Sequence, residues 1–592
     1  MNTHSHKHLA VWIAIVGLAA WGMGCGGGMA DNSGDYNSNS STWSNIGTSG
    51  AQDIGQFRSI LDAGEIPAAN TLDANGFFSE HFTQLPPPDC GNDICLHGMV
   101  VVHNDWVYGE YQAALQVAMS STIEATSLER KPLDLAVVVD TSGSMVQGSA
   151  MSYVKQGLHI LIDELEHDDR MALVRYDGFV EVLATFADPS DATAMHALVD
   201  GLYADGSTNF HDGLEAGLQM AANISNPERQ SRVIMLSDGE PTTGITDNES
   251  IIAMAEGYIA DGVGLTTIGV GTNFNVELMR GLAERGSGNF YFLESAEAID
   301  EVFTEELKYF VTPVAYDLQI EVVNGAGYTL GAVVGTHLWE TDGYRGTITI
   351  PAVFLASRVS DDDPPVGDGG RRGGGSAILI EMIPNDAWPE LADPNRVAEV
   401  RMTYRLPDSG MIVEQVVTVE NPNAPGAEVD QPYYSHQAIE KNYAMYNMYL
   451  GLKDAATRAE YSHNEALWVL EQIEARGSAW NLEMSDEDIE ADLLLVDQFM
   501  ENLIARGAWA VNPTDPDDPN NDACTAGVPG ACYEDPCAYG GCEGDDISYG
   551  FWGCSTASAA DSAPAALALA LLGLLGLIRR RRLPAASPRN DR

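Results

Sequence analysis

The chain has 592 residues, 45% of them hydrophobic, more than a single core holds, which predicts three or more folded units. Lys and Arg total 30 against 86 Asp and Glu, a formal net charge of −56, with acids spread through every segment. So negative a field excludes nucleic acid and anionic lipid surfaces as partners and suits solubility in salty surroundings.

In chain order, His4, His6, Lys7 and His8 precede an apolar run from Leu9 to Trp21, and small residues then lead to Cys25 in GMGCGGG. Residues 1–25 therefore read as a secretory signal, with the three His in its polar head rather than in a metal tract. Cys25 resembles a lipoprotein lipidation site, although Gly22 stands where lipoproteins usually carry an aliphatic residue. Residues 26–51, rich in Asn, Ser and Gly, read as a flexible tether. Residues 52–130 hold a helical patch in DIGQFRSILDAGEIP and strands around Met99–Val107 and Ala113–Met119, a flank expected to contribute to a β-sandwich.

Between 131 and 310 the period alternates. Leu133–Asp140, Met171–Tyr176, Val233–Ser237 and Leu265–Val270 are short apolar or β-branched runs that predict strands. The segments Met151–Glu166, Ala192–Tyr203, His211–Ala222, Glu249–Asp261, Val276–Arg285 and Ala296–Leu307 have helical spacing. This series predicts an α/β fold, a doubly wound, mostly parallel sheet of Rossmann-like topology whose ligand crevice lies at the carboxyl ends of the strands. Asp140 and Asp238 both fall at such ends.

Those two acids belong to a larger pattern. In VVVDTSGSM, Asp140, Ser142 and Ser144 place one carboxylate and two hydroxyls on the turn after an apolar strand. DGSTNFHDG adds the hydroxyl of Thr208, and RVIMLSDGEPTTG adds the carboxylate of Asp238. Hard oxygen donors of this kind suit Mg²⁺, with Mn²⁺ or Ca²⁺ as alternatives. The first turn alone could equally be a helix N-cap; Thr208 and Asp238 following in order favour the metal.

The five residues match, without substitution, the metal-ion-dependent adhesion site of von Willebrand factor type A domains. The resemblance implies an open coordination position that accepts a Glu or Asp from a protein partner. FRSILDAGEIP, the stretch from GITDNESIIAMAEGY to FTEEL, and the strands beyond it resemble a family of bacterial von Willebrand factor A proteins with an N-terminal flank and a C-terminal domain of unknown function, over roughly residues 52 to 508. That family has no firmly established reaction.

From 311 to 422 the runs AYDLQIEVV, RGTITIPAV, SAILIEMIP and VAEVRMTYRLP alternate, predicting an antiparallel β-sandwich. The loop SDDDPPVGDGGRRGGGS has no Lys after its glycines and no strand feeding a helix, so it is no phosphate cradle. Residues 433–508 are helical in period, with Tyr443, Met445, Tyr446 and Met448 read as core. Residues 511–553 form an acidic Cys-rich spacer, where Pro argues against a calcium loop in NPTDPDDPNND.

Setting Cys25 and Cys554 aside for processing leaves six of the eight Cys, an even number for an exported chain. Cys90 and Cys95 are close enough to pair; Cys524, Cys532, Cys537 and Cys542 predict two further bridges of open connectivity. A zinc site there would lack two close C-x-x-C pairs. In residues 554–592, Cys554 precedes an apolar helix from Ala565 to Ile578 and the cluster Arg579–Arg582. The arrangement resembles the myxobacterial type of C-terminal sorting signal, a plain membrane anchor being the alternative. Either implies membrane association through terminal anchors and a location at the cell envelope or surface.

No G-x-S-x-G, H-E-x-x-H or Gly-Lys phosphate loop is present, so no enzyme is expected. The leading expectation is an envelope-anchored binding or adhesion protein. Its alternatives are an envelope structural or assembly factor with the metal as a fixed strut, and an unrecognised hydrolase.

Overall fold

The computed structural model describes residues 43–509 except 124–130, 188–190, 272–273, 294–297, 300–301, 304–311, 357–373, 386–394, 408, 428 and 430. The signal at 1–25 with Cys25, most of the tether, the cluster Cys524, Cys532, Cys537 and Cys542, and the C-terminal segment with Cys554 lie outside the described residues. Much of the expected helix Ala296–Leu307 does too. Among the described residues no helix is long and apolar enough to cross a membrane.

The described chain opens with strands β1 (Ser44–Thr48) and β2 (Gly50–Ala51), helices α1 (Gly55–Asp62) and α2 (Ala74–Ser79), and long strands β3 (Ile94–Asn104) and β4 (Tyr111–Ser121). An alternating series follows: β5 (Leu133–Asp140), α3 (Ala150–Glu164), β6 (Arg170–Tyr176), β7 (Val180–Ala187), α4 (Ala192–Asp200), α5 (Phe210–Ile224), β8 (Gln230–Ser237), α6 (Asn248–Ala260), β9 (Gly264–Val270), α7 (Val276–Arg285) and β10 (Asn289–Leu293). Next come β11 (Ala315–Asn324), β12 (Tyr328–Val334), β13 (Trp339–Thr341), β14 (Arg345–Leu355), β15 (Ile378–Pro384), β16 (Arg396–Arg405), β17 (Ile412–Glu420) and β18 (Tyr433–Tyr434). Three helices close the described region: α8 (Ala438–Ala459), α9 (His463–Met484) and α10 (Glu487–Ala505).

The alternating series, joined at one edge by β2, builds one sheet in the order β2-β10-β9-β8-β5-β6-β7. β5 sits inside it, parallel to β6 and β8, and all eight of its residues are buried. Burial on both faces is why this strand reads as an unbroken apolar run. Side chains at α6 and α7 supply their own starts: Asp247 accepts from the Ser250 amide and Asn275 from the Leu278 amide. The sequence expectation missed two strands. β7 pairs antiparallel with β6 at the sheet edge, and β10 pairs parallel with β9.

The remaining strands form an antiparallel sheet that folds back on itself. β3, β4, β15 and β12 make one half, and β14, β11, β16 and β17 the other. β1 joins them, pairing with β4 through Ser44 and Asn45 and with β14 through Ile46 to Thr48. Leu96, Val100 and Leu115 of the first half share a core with Ile320, Ile350 and Val400 of the second. Alternate residues of β16 are buried, as the period-two pattern requires.

One expectation is corrected here. Ser44–Thr48 and Gly50–Ala51, read as part of a flexible tether, are strands, and Ile46 and Ala51 are each 1% exposed. Polar composition concealed this because the polar groups are paired inside. Asn45 Nδ2 donates to the carbonyls of Thr83 and Gly374 at 2.8 and 3.2 Å, and the Thr48 amide donates to Ser376 Oγ at 2.7 Å.

The C-terminal helices and the flank share a third core, with Phe57 of α1 edge-on to Phe499 of α10. Tyr443, Met445, Tyr446 and Met448 are all buried in it. Asp73, which caps α2, accepts from Arg280 of α7 at 2.9 Å and from His337 at 2.8 Å. Burial alone would raise its carboxyl, but His337 and Arg280 overcome that and hold it well below the usual carboxylate range. Cys90 and Cys95 form a disulfide with their Cα atoms 5.7 Å apart.

Close approach of α5 to β5 depends on Gly217, where a Cβ would lie 2.3 Å from Val138 Cγ2. Gly217→Leu is expected to destabilise the protein by about 1–3 kcal/mol, read as a lower urea midpoint. An unchanged midpoint would show that helix and strand have room to separate.

Candidate metal centre

The sheet brings the ends of β5 and β8 side by side, so Asp140 and Asp238 meet at the carboxyl edge of a parallel pair. Such an edge is where open α/β sheets hold ligands. After Asp140 the chain turns at once: the Ser142 amide donates to Asp140 Oδ1 at 2.8 Å, and the Gly143 amide donates to the Gly206 carbonyl at 3.1 Å. The turn directs two hydroxyls inward. Ser142 Oγ lies 3.0 Å from Ser144 Oγ, which in turn donates to Asp238 Oδ1 at 2.8 Å.

Thr208 reaches the same place on the loop before α5. Its amide donates to Thr242 Oγ1 at 3.0 Å, and its carbonyl accepts from the amides of Thr242 and Thr243. A Cβ placed on Gly239 would stand 3.5 Å from Ser144 Oγ and 3.8 Å from Thr208 Oγ1, so both hydroxyls border that glycine. Asp140, Ser142, Thr208 and Asp238 are buried and Ser144 is half-buried. The structure thus gathers all five residues at one crevice.

Sequence reasoning missed two participants. Ser237 Oγ donates to Asp140 Oδ2 at 2.7 Å, and Tyr176 packs fully buried behind the acid while its carbonyl accepts from both the amide and the hydroxyl of Thr141. Ser237 directly precedes Asp238 in LSDG, so strand register could have revealed it; nothing local marks Tyr176.

Electrostatics distinguish the two ends of β5. At its start, Asp134 is buried and held by two guanidinium groups, Arg170 Nη2 at 2.5 Å and Arg229 Nε at 2.7 Å. These overcome burial and keep its carboxyl low. At the other end Asp140 is equally buried, but its donors are uncharged: the Ser237 hydroxyl and the Ser142 amide. Burial raises its carboxyl despite those bonds. Asp238 is pushed up to about 6 by burial, with the Ser144 hydrogen bond opposing and the Asp140 charge adding. Burial likewise lifts the Tyr176 phenol well above its usual range, and Asp140 adds to it.

Two buried carboxylates that meet only neutral donors among the described residues must take up a proton or a cation from outside. Two acids and three hydroxyls form an all-oxygen set, the kind that suits Mg²⁺, Mn²⁺ or Ca²⁺. The residues present therefore fit a divalent ion, which would supply the missing positive charge.

Residues 134–305 match the family model for the von Willebrand factor type A domain, so the chain carries a domain of this type. It is 30% identical over 190 residues to the uncharacterized protein YfbK of Escherichia coli strain K12, covering 32% of this chain and 33% of that protein. Inter-alpha-trypsin inhibitor heavy chain H3 of Homo sapiens is 28% identical over 243 residues, 39% of this chain and 26% of the relative. The chain thus spans a third or less of the length of these two proteins. Among solved structures, a von Willebrand factor type A protein from Catenulispora acidiphila is similar at 15% identity and a TM-score of 0.39, over 57% of this chain and 74% of that one.

Calorimetric titration of Mg²⁺ into the full-length protein is expected to show one site, lost in Asp140→Ala. Ser237→Ala, which removes only the group orienting Asp140, should weaken uptake by about 10–100-fold. Equal uptake by wild type and Asp140→Ala would overturn the assignment.

Proposed function

We propose that this protein is an exported, envelope-anchored binding protein that captures an acidic residue of a protein partner through a divalent cation. Asp140, Ser142, Ser144, Thr208 and Asp238 would hold the ion, Mg²⁺ by the hardness of its donors, and a partner Glu or Asp would complete its coordination. The observation that carries this reading is the pair of buried acids, Asp140 and Asp238, bonded only to neutral donors where the central strands β5 and β8 end.

Two features support an external protein ligand. Val146 on the 3₁₀ turn that carries Ser144, Phe179 between β6 and β7, and Ile245 on the segment after Asp238 are 71%, 85% and 45% exposed. Exposed apolar side chains on segments that leave the same strand ends suit a protein contact. With a net charge of −56, the protein repels acidic partners at long range, so attraction must come from the ion itself. Binding is favoured over catalysis because the Ser142 and Ser144 hydroxyls are engaged with each other and with Asp238 rather than with a general base.

The test is an immobilised array of Glu-containing peptides with apolar flanks, probed with the full-length protein in Mg²⁺. Capture should disappear with chelator, with Asp140→Ala, and when the peptide Glu is replaced by Gln. Mg²⁺ uptake with no dependence on the peptide carboxylate would instead favour the metal as a structural strut in an envelope assembly factor.

Export and anchoring rest on the two chain ends, with Cys25, Cys554 or both as the attachment points. Mass spectrometry of the mature protein should recover neither the apolar run Leu9–Trp21 nor the residues after Arg579. Intact ends in a cytoplasmic fraction would refute it.

A further inference from the structure

Helices α3 and α4 pack side by side and bring together two histidines 37 positions apart. The Nδ1 atoms of His159 and His196 lie 2.7 Å from each other, with the ring centroids 4.9 Å apart and the ring planes inclined by 29°, so the rings meet edge to edge. The far nitrogen of each ring meets a carboxylate: His159 Nε2 is 3.1 Å from Asp200 Oδ1, and His196 Nε2 is 3.1 Å from Asp163 Oδ1. Lys155 donates to the Asp200 carbonyl and leaves the carboxylate to His159.

An ionised carboxylate only accepts hydrogen bonds, so each Nε2 carries the ring proton. In the neutral rings both Nδ1 atoms are then lone-pair donors, pointed at one another across 2.7 Å. Two lone pairs at that distance repel, so a positive charge must lie between them: a proton shared by the two rings in the metal-free protein, or an ion that displaces it. A carboxylate accepting from the distal nitrogen is also the arrangement that fixes the tautomer of metal-ligating imidazoles.

We infer that His159 and His196 form a bis-imidazole site for a transition-metal ion of the Cu²⁺, Ni²⁺ or Zn²⁺ class, with Asp163 and Asp200 as its outer carboxylates. Bonds of about 2.0–2.1 Å place two neighbouring imidazole nitrogens roughly 2.9–3.4 Å apart, so to hold one ion the rings must part by a few tenths of an ångström and turn until both lone pairs converge on it. The two side chains are 33% and 29% exposed, which gives water access to the remaining positions. Nitrogen donors select this class of ion, whereas the all-oxygen centre at Asp140 selects Mg²⁺, so the two sites are chemically separable.

The experiment is Cu²⁺ titration of the full-length protein in saturating Mg²⁺, read by binding and by the nitrogen couplings of the copper EPR spectrum. One ion coupled to two nitrogens is expected. His159→Gln and His196→Asn should each remove one coupling, and the pair Asp163→Asn with Asp200→Asn should weaken binding by about 10–100-fold while keeping both. Asp140→Ala should leave the signal unchanged. His211, Asp212 and Glu215 are another group whose ligand atoms come within 4.8 Å of one another, so His211→Asn is the control and should have no effect. Any copper bound by His4, His6 and His8 is a background common to all variants. Affinity and couplings unaltered by either His substitution, or lost in His211→Asn, would overturn the inference.

Discussion

A single buried strand carries a carboxylate at each end, and the way each charge is compensated organises the alternating sheet. Asp134 and Asp140 are both fully buried on β5. Taking a carboxylate out of water costs several kcal/mol unless an opposite charge meets it. For Asp134 that charge is internal: Arg170 begins the neighbouring β6, and Arg229 immediately precedes β8 on the other side. For Asp140 the neighbours contribute hydroxyls and an amide, so compensation is left to something the protein must acquire. The same strand is thereby closed at one end and receptive at the other.

That asymmetry explains which parts of the site were legible in the sequence. Asp140, Ser142 and Ser144 occupy adjacent positions of one turn, and Thr208 and Asp238 each follow a recognisable loop or strand, so short side chains at fixed offsets carry the signal. β5, β6, β8 and β9 were readable because burial on both faces demands unbroken apolar runs. β7 does not share that pattern: as an edge strand paired on one side only, it interleaves Glu181 and Thr185 with its apolar residues and has no unbroken run. Ser237 was hidden for a different reason: its role depends on β8 lying beside β5, which is a matter of register between distant segments. His159 and His196 meet only through helix packing, and no spacing in the chain announces them.

The polar segment before the flank shows the limit of composition as a guide. Asn45 and Thr48 look like linker residues, yet each binds backbone or hydroxyl partners contributed from more than 300 positions away, Asn45 at Gly374 and Thr48 at Ser376. A buried polar group that finds its partner behaves as core, and its partners cannot be seen from local sequence. The expectation for Cys90 and Cys95 faced no such difficulty, since the bond closes within five residues.

The short strand β2 and helix α7 have a consequence in mechanical terms. β2 pairs with β10 at the edge of the alternating sheet, one residue after β1 pairs into the antiparallel sheet, while Asp73 holds Arg280 of α7 and His337 together. A pull exerted at Asp140 therefore does not travel along one thread of chain. It divides among the chain connections on either side of the sheet, the β2–β10 pairing and the Asp73 ion pair, which bear load in parallel. Parting the two sheets by force would require these links to fail together, so a bond formed at the crevice is tethered to the whole molecule rather than to a loosely hung domain.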